Sequence, residues 1–142
     1  MAIHFFLQKF ILLKDKRRLK IFIKKMIEKE NHLAGNLSFI FCTDTFLLDI
    51  NKRFLKHNDY TDVITFNYLE TESKKISGEV YISTDRVEEN AQKFKISFDN
   101  ELHRVMIHGI LHLLGYQDNT KTKKKIMREK EDLYLLLYSE SI

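Results

Sequence analysis

His108 and His112 stand four residues apart and carry the densest chemical signal in the chain. On a helix that repeats every ~3.6 residues, this spacing sets both imidazoles on one face, one turn apart and within reach of one metal ion. Gly115 follows, a residue able to take positive φ and end a helix, so the chain can turn back and offer Asp118 as a third ligand. Two ring nitrogens and one carboxylate oxygen suit Zn²⁺ and leave a fourth position for water, as catalytic zinc sites do. A histidine pair at this spacing is common and often marks no more than hydrogen-bonded side chains against a core. The glycine and carboxylate at the next two intervals shift the reading to a site for one zinc ion, with another divalent metal possible.

The spacing is similar to the zincin pattern H-E-x-x-H, but Gly109 occupies the position of the glutamate that serves there as general base. Peptidase chemistry is disfavoured for want of a proton acceptor. The whole segment His108-Gly-Ile-Leu-His112-Leu-Leu-Gly115-Tyr-Gln-Asp118 resembles the H-G-x-L-H-L-x-G-Y-D-H motif of the YbeY family of bacterial endoribonucleases and rRNA maturation factors. Further segments agree in order. Asn51 to Phe66 is similar to the family's N-x-x-Y-R-x-K-D-x-P-T-D-V-L-S-F stretch, and Gly78 to Ser83 to its G-D-I-x-I-S strand. Glu101 to Glu131 carries the histidine helix and a closing M-x-x-x-E helix. The resemblance spans about residues 37–138. It implies a metal-dependent endoribonuclease acting on single-stranded RNA, with rRNA precursors as substrate, particularly at the 3′ end of the small-subunit RNA. It further implies the ribosomal small subunit as partner and a part in ribosome quality control.

Three positions depart from the family pattern. Asp118 stands where the family usually has His; a carboxylate is a competent zinc ligand, though its harder oxygen shifts preference toward Mn²⁺ or Fe²⁺. Leu55 replaces an Arg able to hold phosphate by paired hydrogen bonds. Tyr60 replaces a Pro, in a chain without proline.

A metal held by His108, His112 and Asp118 would act as a Lewis acid on a phosphodiester and bring the pKa of water toward about 7. His57 is a candidate acid–base group or phosphate donor, with a plain surface histidine as the competing reading. Arg104, one turn before His108, either touches phosphate or, the commoner case, pairs with a carboxylate. His103 lies off the ligand face and receives no role. Thr61 and Asp62 either order a turn or hydrogen-bond a ligand imidazole. Tyr116 either stacks on an RNA base or packs beneath the turn.

These groups need elements to hold them. Strands are expected at Ile3–Leu7, Ser38–Cys42, Asp62–Tyr68 and Glu79–Ser83, with a polar loop over Leu69–Ser77. Helical spacing predicts residues 15–31 (inward face Leu19, Phe22, Ile23, Met26, Ile27), Thr45–Leu55, Thr84–Phe94, a helix capped by Ser97 or Asp99 and ending near Leu114, and Thr120–Tyr138. In the last, Ile126, Met127, Lys130, Leu133 and Leu137 mark one face. The order implies an α+β fold, a single domain over residues 1–142 with a small mixed β-sheet of about four strands covered by about five helices.

Composition agrees with an enzyme of this kind. At 142 residues and 44% hydrophobic content the chain can bury a core, and no apolar run approaches the roughly 18 residues of a membrane span. The apolar start lacks a basic n-region and a cleavage site, so it reads as a strand and not a signal peptide. One cysteine, Cys42, permits no internal disulfide, fits a reducing cytoplasm, and lies among apolar residues as a core group would. Net charge of +4 permits a polyanion partner without demanding one. Basic residues gather at Lys14–Lys25 and Lys121–Lys125; each is either the solvated face of a helix or an RNA guide. Beside the nuclease reading stand two alternatives: a zincin-like metalloprotease, and a metal-bearing module of ribosome assembly with little cleavage of its own.

Overall fold

The computed structural model describes residues 2–57, 60–68 and 74–141. Alternating apolar residues build four strands, β1 (Ala2–Leu7), β2 (Leu33–Cys42), β3 (Val63–Asn67) and β4 (Lys75–Ser83), in one sheet of order β1-β2-β4-β3. β1, β2 and β4 run parallel, and β3 is antiparallel to β4. Five helices connect or follow them: α1 (Lys16–Lys29), α2 (Asp44–Phe54), α3 (Thr84–Phe94), α4 (Phe98–Leu113) and α5 (Lys121–Glu140). The α+β class, strand number and helix number are those the sequence predicts.

Side-chain alternation along the strands divides the core. Leu37, Phe39, Phe41, Val80 and Ile82 face α1, α3, α4 and α5, in the main cluster. Cys42 and Ile64 face the other way, with Leu47 and Ile50 of α2, under Phe66 and Tyr81. α1 buries the five residues expected of it. At roughly 1.5–3 kcal/mol per large buried apolar side chain, that stripe fixes the helix against the sheet. Four helices start on a hydroxyl cap: Thr43, Ser83, Ser97 and Thr120 each accept the backbone N–H three residues on.

Some boundaries differ. β2 begins at Leu33, not Ser38, and β4 at Lys75, not Glu79. Their early residues include Gly35, Asn36, Ser77 and Gly78, weak strand formers at a register irregularity, where Asn36 is held by β1 and Gly78 by β2 and β3 rather than by propensity. A Cβ on Gly78 would lie 2.2 Å from the Phe66 carbonyl oxygen, so only glycine admits the β3 backbone there. Of the expected loop, residues 69–73 lie outside the described residues, and 75–77 are strand. The inward face of α5 is Met127, Glu131, Tyr134 and Tyr138, whereas Ile126 and Leu133 are exposed. Apolarity misplaced that face because polar groups of α1 and α4 await it. No helix among the described residues is long and apolar enough to cross a membrane.

Candidate metal centre

α4 is the element that aims the histidines. Val105, Ile107 and Leu111 are buried on its other faces, leaving His108 and His112 on a partly exposed one. Gly109 lies against the sheet: a Cβ there would stand 2.6 Å from Val80 Cγ1 and 3.5 Å from Val63 Cγ2. This position is glycine because helix and sheet touch, and a side chain at 109 would point into the core and away from the histidines.

The helix ends in a Schellman turn. Tyr116 N–H donates to Leu111 O and Gly115 N–H to His112 O, both at 3.0 Å, with Gly115 at φ +104°. The reversal returns Asp118 to the histidines. His108 Nε2 and His112 Nε2 are 2.9 Å apart, and Asp118 Oδ2 lies 3.3 Å from the first and 3.6 Å from the second. The structure thus brings the three predicted ligands together, with one ligand atom from each within 4.8 Å of the others.

The far side of each ring decides what the near side can do. His108 Nδ1 lies 2.6 Å from Glu131 Oε2, and His112 Nδ1 3.0 Å from the Tyr116 carbonyl. Both partners accept, so both Nδ1 atoms donate, a tautomer assigned from these partners. The Nε2 lone pairs then face each other and a carboxylate oxygen. Such a set needs a shared proton or a cation at its centre, and tetrahedral zinc with bonds of about 2.0–2.2 Å spaces its ligands by roughly the separations seen. The residues fit a metal.

Electrostatics tell the same story. Burial pulls the His108 pKa down, but the Glu131 hydrogen bond and charge overcome it and the net shift is upward. Burial lowers His112, and the neighbouring His108 charge lowers it further. Glu131 is buried, which alone would raise its pKa; His108 and Arg104 hold it below the usual range. These opposite shifts favour a proton on His108 over one on His112, and a cation bound between them would displace it.

Other residues singled out by sequence sort plainly. Arg104 pairs with Glu131 (2.9 Å) and Asp132 (2.7 Å), not with open solvent. The Thr61 hydroxyl donates to Val63 O, ordering the turn. Burial raises the Asp62 pKa, partly opposed by His108, but the acceptor on the ligand ring is Glu131. Tyr116 reaches into the protein, its hydroxyl donating to Glu30. His103 packs edge-on against Tyr138, 4.8 Å between ring centroids. Cys42 is buried, and burial, then the charges of Asp85 and Asp44, push its thiol up to about 12, out of reach of nucleophilic use.

Beside the histidines opens a groove of about 440 Å³, lined by residues of α2, the segment around Tyr60 and β3, and by His112. His57, Leu55 and Tyr60 are on its wall. Of the two basic runs, Lys14–Lys25 spends several cations internally: Lys14 on Asp99, Lys24 on Glu28, and Arg18 on the Tyr138 and Ser141 carbonyls and over the Tyr138 ring. The α5 run begins beside the ligand turn, where Lys123 donates to Gln117 at 3.0 Å. Sequence reasoning missed Glu131 as a partner of His108. Its signal was an acid in register with Met127, Tyr134 and Tyr138 on the inward face.

Residues 8–139 match the family described as Endoribonuclease YbeY. The chain belongs to the YbeY family. It is 43% identical over 136 residues to an Endoribonuclease YbeY of Christiangramia forsetii, covering 96% of this chain and 94% of that one. Identity reaches 51% over 114 residues with the Amoebophilus asiaticus YbeY, covering 80% and 77%. A Thermotoga maritima protein solved in solution superposes with a TM-score of 0.63 at 31% identity, covering 94% of this chain and 87% of its own.

Proposed function

We propose that this YbeY-family chain, residues 1–142 acting as one domain, is a metal-dependent endoribonuclease of single-stranded RNA, with His108, His112 and Asp118 as metal ligands and zinc as the first candidate. Its place in the cell is the cytoplasm, and its substrate the rRNA precursor on the ribosomal small subunit, at the 3′ end of the small-subunit RNA. The observation that carries this reading is the meeting of two Nε2 atoms and a carboxylate oxygen beside a groove that His112 lines.

A divalent cation bound there supplies Lewis acidity to a phosphodiester oxygen and makes water a better nucleophile near neutral pH. The chain's own groups do the rest. Glu131 and the Tyr116 carbonyl hold each ring by its Nδ1–H, keeping both Nε2 atoms turned to the centre. Asn51, Thr61 and Thr65 line the groove with hydrogen-bonding groups, and Leu55, Val63 and Ile64 with apolar ones, a mixture suited to a strand with bases unstacked. His57, exposed on that wall, is the candidate phosphate donor or acid–base group in place of the Arg missing at Leu55.

Gly109 argues against the metalloprotease reading, since its position faces Val80 and offers no place for a base. The reading as a ribosome-assembly module with little cleavage rests on Leu55. The test is cleavage of an unstructured RNA by zinc-loaded wild type and His112→Ala purified in parallel, with a duplex control. Single-strand cleavage lost in the variant is expected. Equal cleavage by both proteins would expose a contaminating nuclease, and none by either would favour the assembly module.

A further inference from the structure

Glu30 touches none of the three ligand side chains, yet it grips the turn that delivers one of them. It caps α1, 86 residues from Tyr116. Its Oε1 accepts the Tyr116 hydroxyl at 2.6 Å, while Oε2 accepts the Tyr134 hydroxyl and, at 3.1 Å, Lys130 Nζ. The carboxylate is nearly covered, with a side chain only 10% exposed. Lys130 Nζ also stands 5.5 Å from the centre of the Tyr116 ring.

Tyr116 is therefore held at three points: its N–H on Leu111 O, its carbonyl on His112 Nδ1, its hydroxyl on Glu30. Leu114 and Tyr116 rest on the core, but the Gly115 side of this turn is unpacked. A Cβ on Gly115 would meet nothing within 4 Å, and a cavity of about 230 Å³ bounded by Glu30, His32, Leu114, Gly115 and Tyr116 lies beside it. A tether matters most where there is room to move.

We infer that Glu30 is a positioning residue of the metal centre, acting through Tyr116 to hold the carbonyl that selects the His112 tautomer and the turn that presents Asp118. This rests on the ligand reading of His108, His112 and Asp118. Glu30 also ties α1 to α5 through Tyr134 and Lys130, and those bonds do not involve Tyr116. Tyr116→Phe removes the link to the ligand turn and leaves that tie in place.

The experiment titrates Zn²⁺ alone, in competition with a chromophoric chelator, into wild type, Tyr116→Phe, Glu30→Gln and His112→Ala. It is joined by ¹⁵N spectra of the metal-free His112 ring and by thermal melting. Tyr116→Phe is expected to bind zinc about tenfold more weakly, the low end for an outer partner of a ligand. Its His112 resonances should move toward mixed tautomers while melting changes little. Glu30→Gln, which keeps an acceptor oxygen but loses the charge, should fall between it and wild type, and it carries the comparison if Tyr116→Phe fails to fold. Wild-type affinity and tautomer in both variants, with zinc binding lost in His112→Ala, would overturn the inference alone. A wild type that binds no zinc, or a His112→Ala that binds it as well, would overturn the ligand reading and this inference with it.

Discussion

The two walls beside the candidate metal differ in how far their side chains are committed. On the α4–α5 wall the side chains around the ligand pair are held: His108 by Glu131, His112 by the Tyr116 carbonyl, and the Arg104 terminal nitrogens by Glu131 and Asp132. On the facing wall Leu55 is 43% and Tyr60 55% exposed, and His57 is exposed as well. The two family positions changed on that wall, Leu55 and Tyr60, belong to the exposed set. Exposed positions alter without disturbing a network, whereas a buried acid cannot change without stranding its partners. Under the proposed function, one wall would set the chemistry and the other would handle the substrate.

The sharpest way to break this contrast is Glu131→Ala. It strips His108 of its acceptor and leaves the largely buried Arg104 with Asp132 as its one remaining carboxylate of the two. A loss of about 3–5 kcal/mol in denaturant unfolding is expected. Zinc affinity in whatever folds should fall about 10- to 100-fold. Unchanged stability would mean that the committed wall is no more committed than the other.

Gly109→Ala probes the seam behind the same wall. Its Cβ would crowd Val80, so a loss of about 1–3 kcal/mol is expected, with zinc affinity of the folded protein within a few-fold of wild type. Gly109→Glu should be less stable still and gain no cleavage of casein.

On the facing wall, Leu55→Arg should sharpen the difference by restoring a phosphate donor at no cost in folding. KM for a single-stranded RNA should fall about 3- to 10-fold, at little change in kcat. The salt dependence of binding should steepen by about 0.7 in log–log slope for one new contact. A change in zinc affinity instead would show that the walls are coupled.

The smallest effect concerns acid. Burial pushes the Glu30 carboxyl up, but bonds from Tyr116, Tyr134 and Lys130 overcome it and hold its pKa below 4.5. A depressed folded pKa adds stability that is present above about pH 4.5 and is lost as pH falls through the folded value. The melting-temperature gap between wild type and Glu30→Gln should therefore be constant near neutrality and narrow in that acid range.

How much of this could be read from the sequence depended on the range of the interactions. His108, His112, Gly115 and Asp118 were legible because helix periodicity and one turn relate them locally. The α3 boundaries and the α1 face were legible for the same reason. The early halves of β2 and β4 were not, since residues such as Asn36 and Gly78 become strand through distant backbones, Asn36 beside Ala2 and Gly78 beside Leu37 and Asn67. Glu131 was quoted in a motif without a role, because a buried acid looks like surface charge until its cation and imidazole are in place. The face of α5 was misjudged by the same cause: Tyr134 and Glu131 turn inward for partners on α1 and α4 that no local pattern reveals.

The ligands all fall within eleven residues, His108 to Asp118, but their supports arrive from 23 and 86 residues away, on α5 and α1. If the three side chains hold zinc as proposed, zinc affinity would gauge tertiary assembly. A chain whose first and last helices have not docked keeps all three donor side chains but loses Glu131, which aims His108, and Glu30, which holds Tyr116. Loading with metal would then be a checkpoint on completed folding.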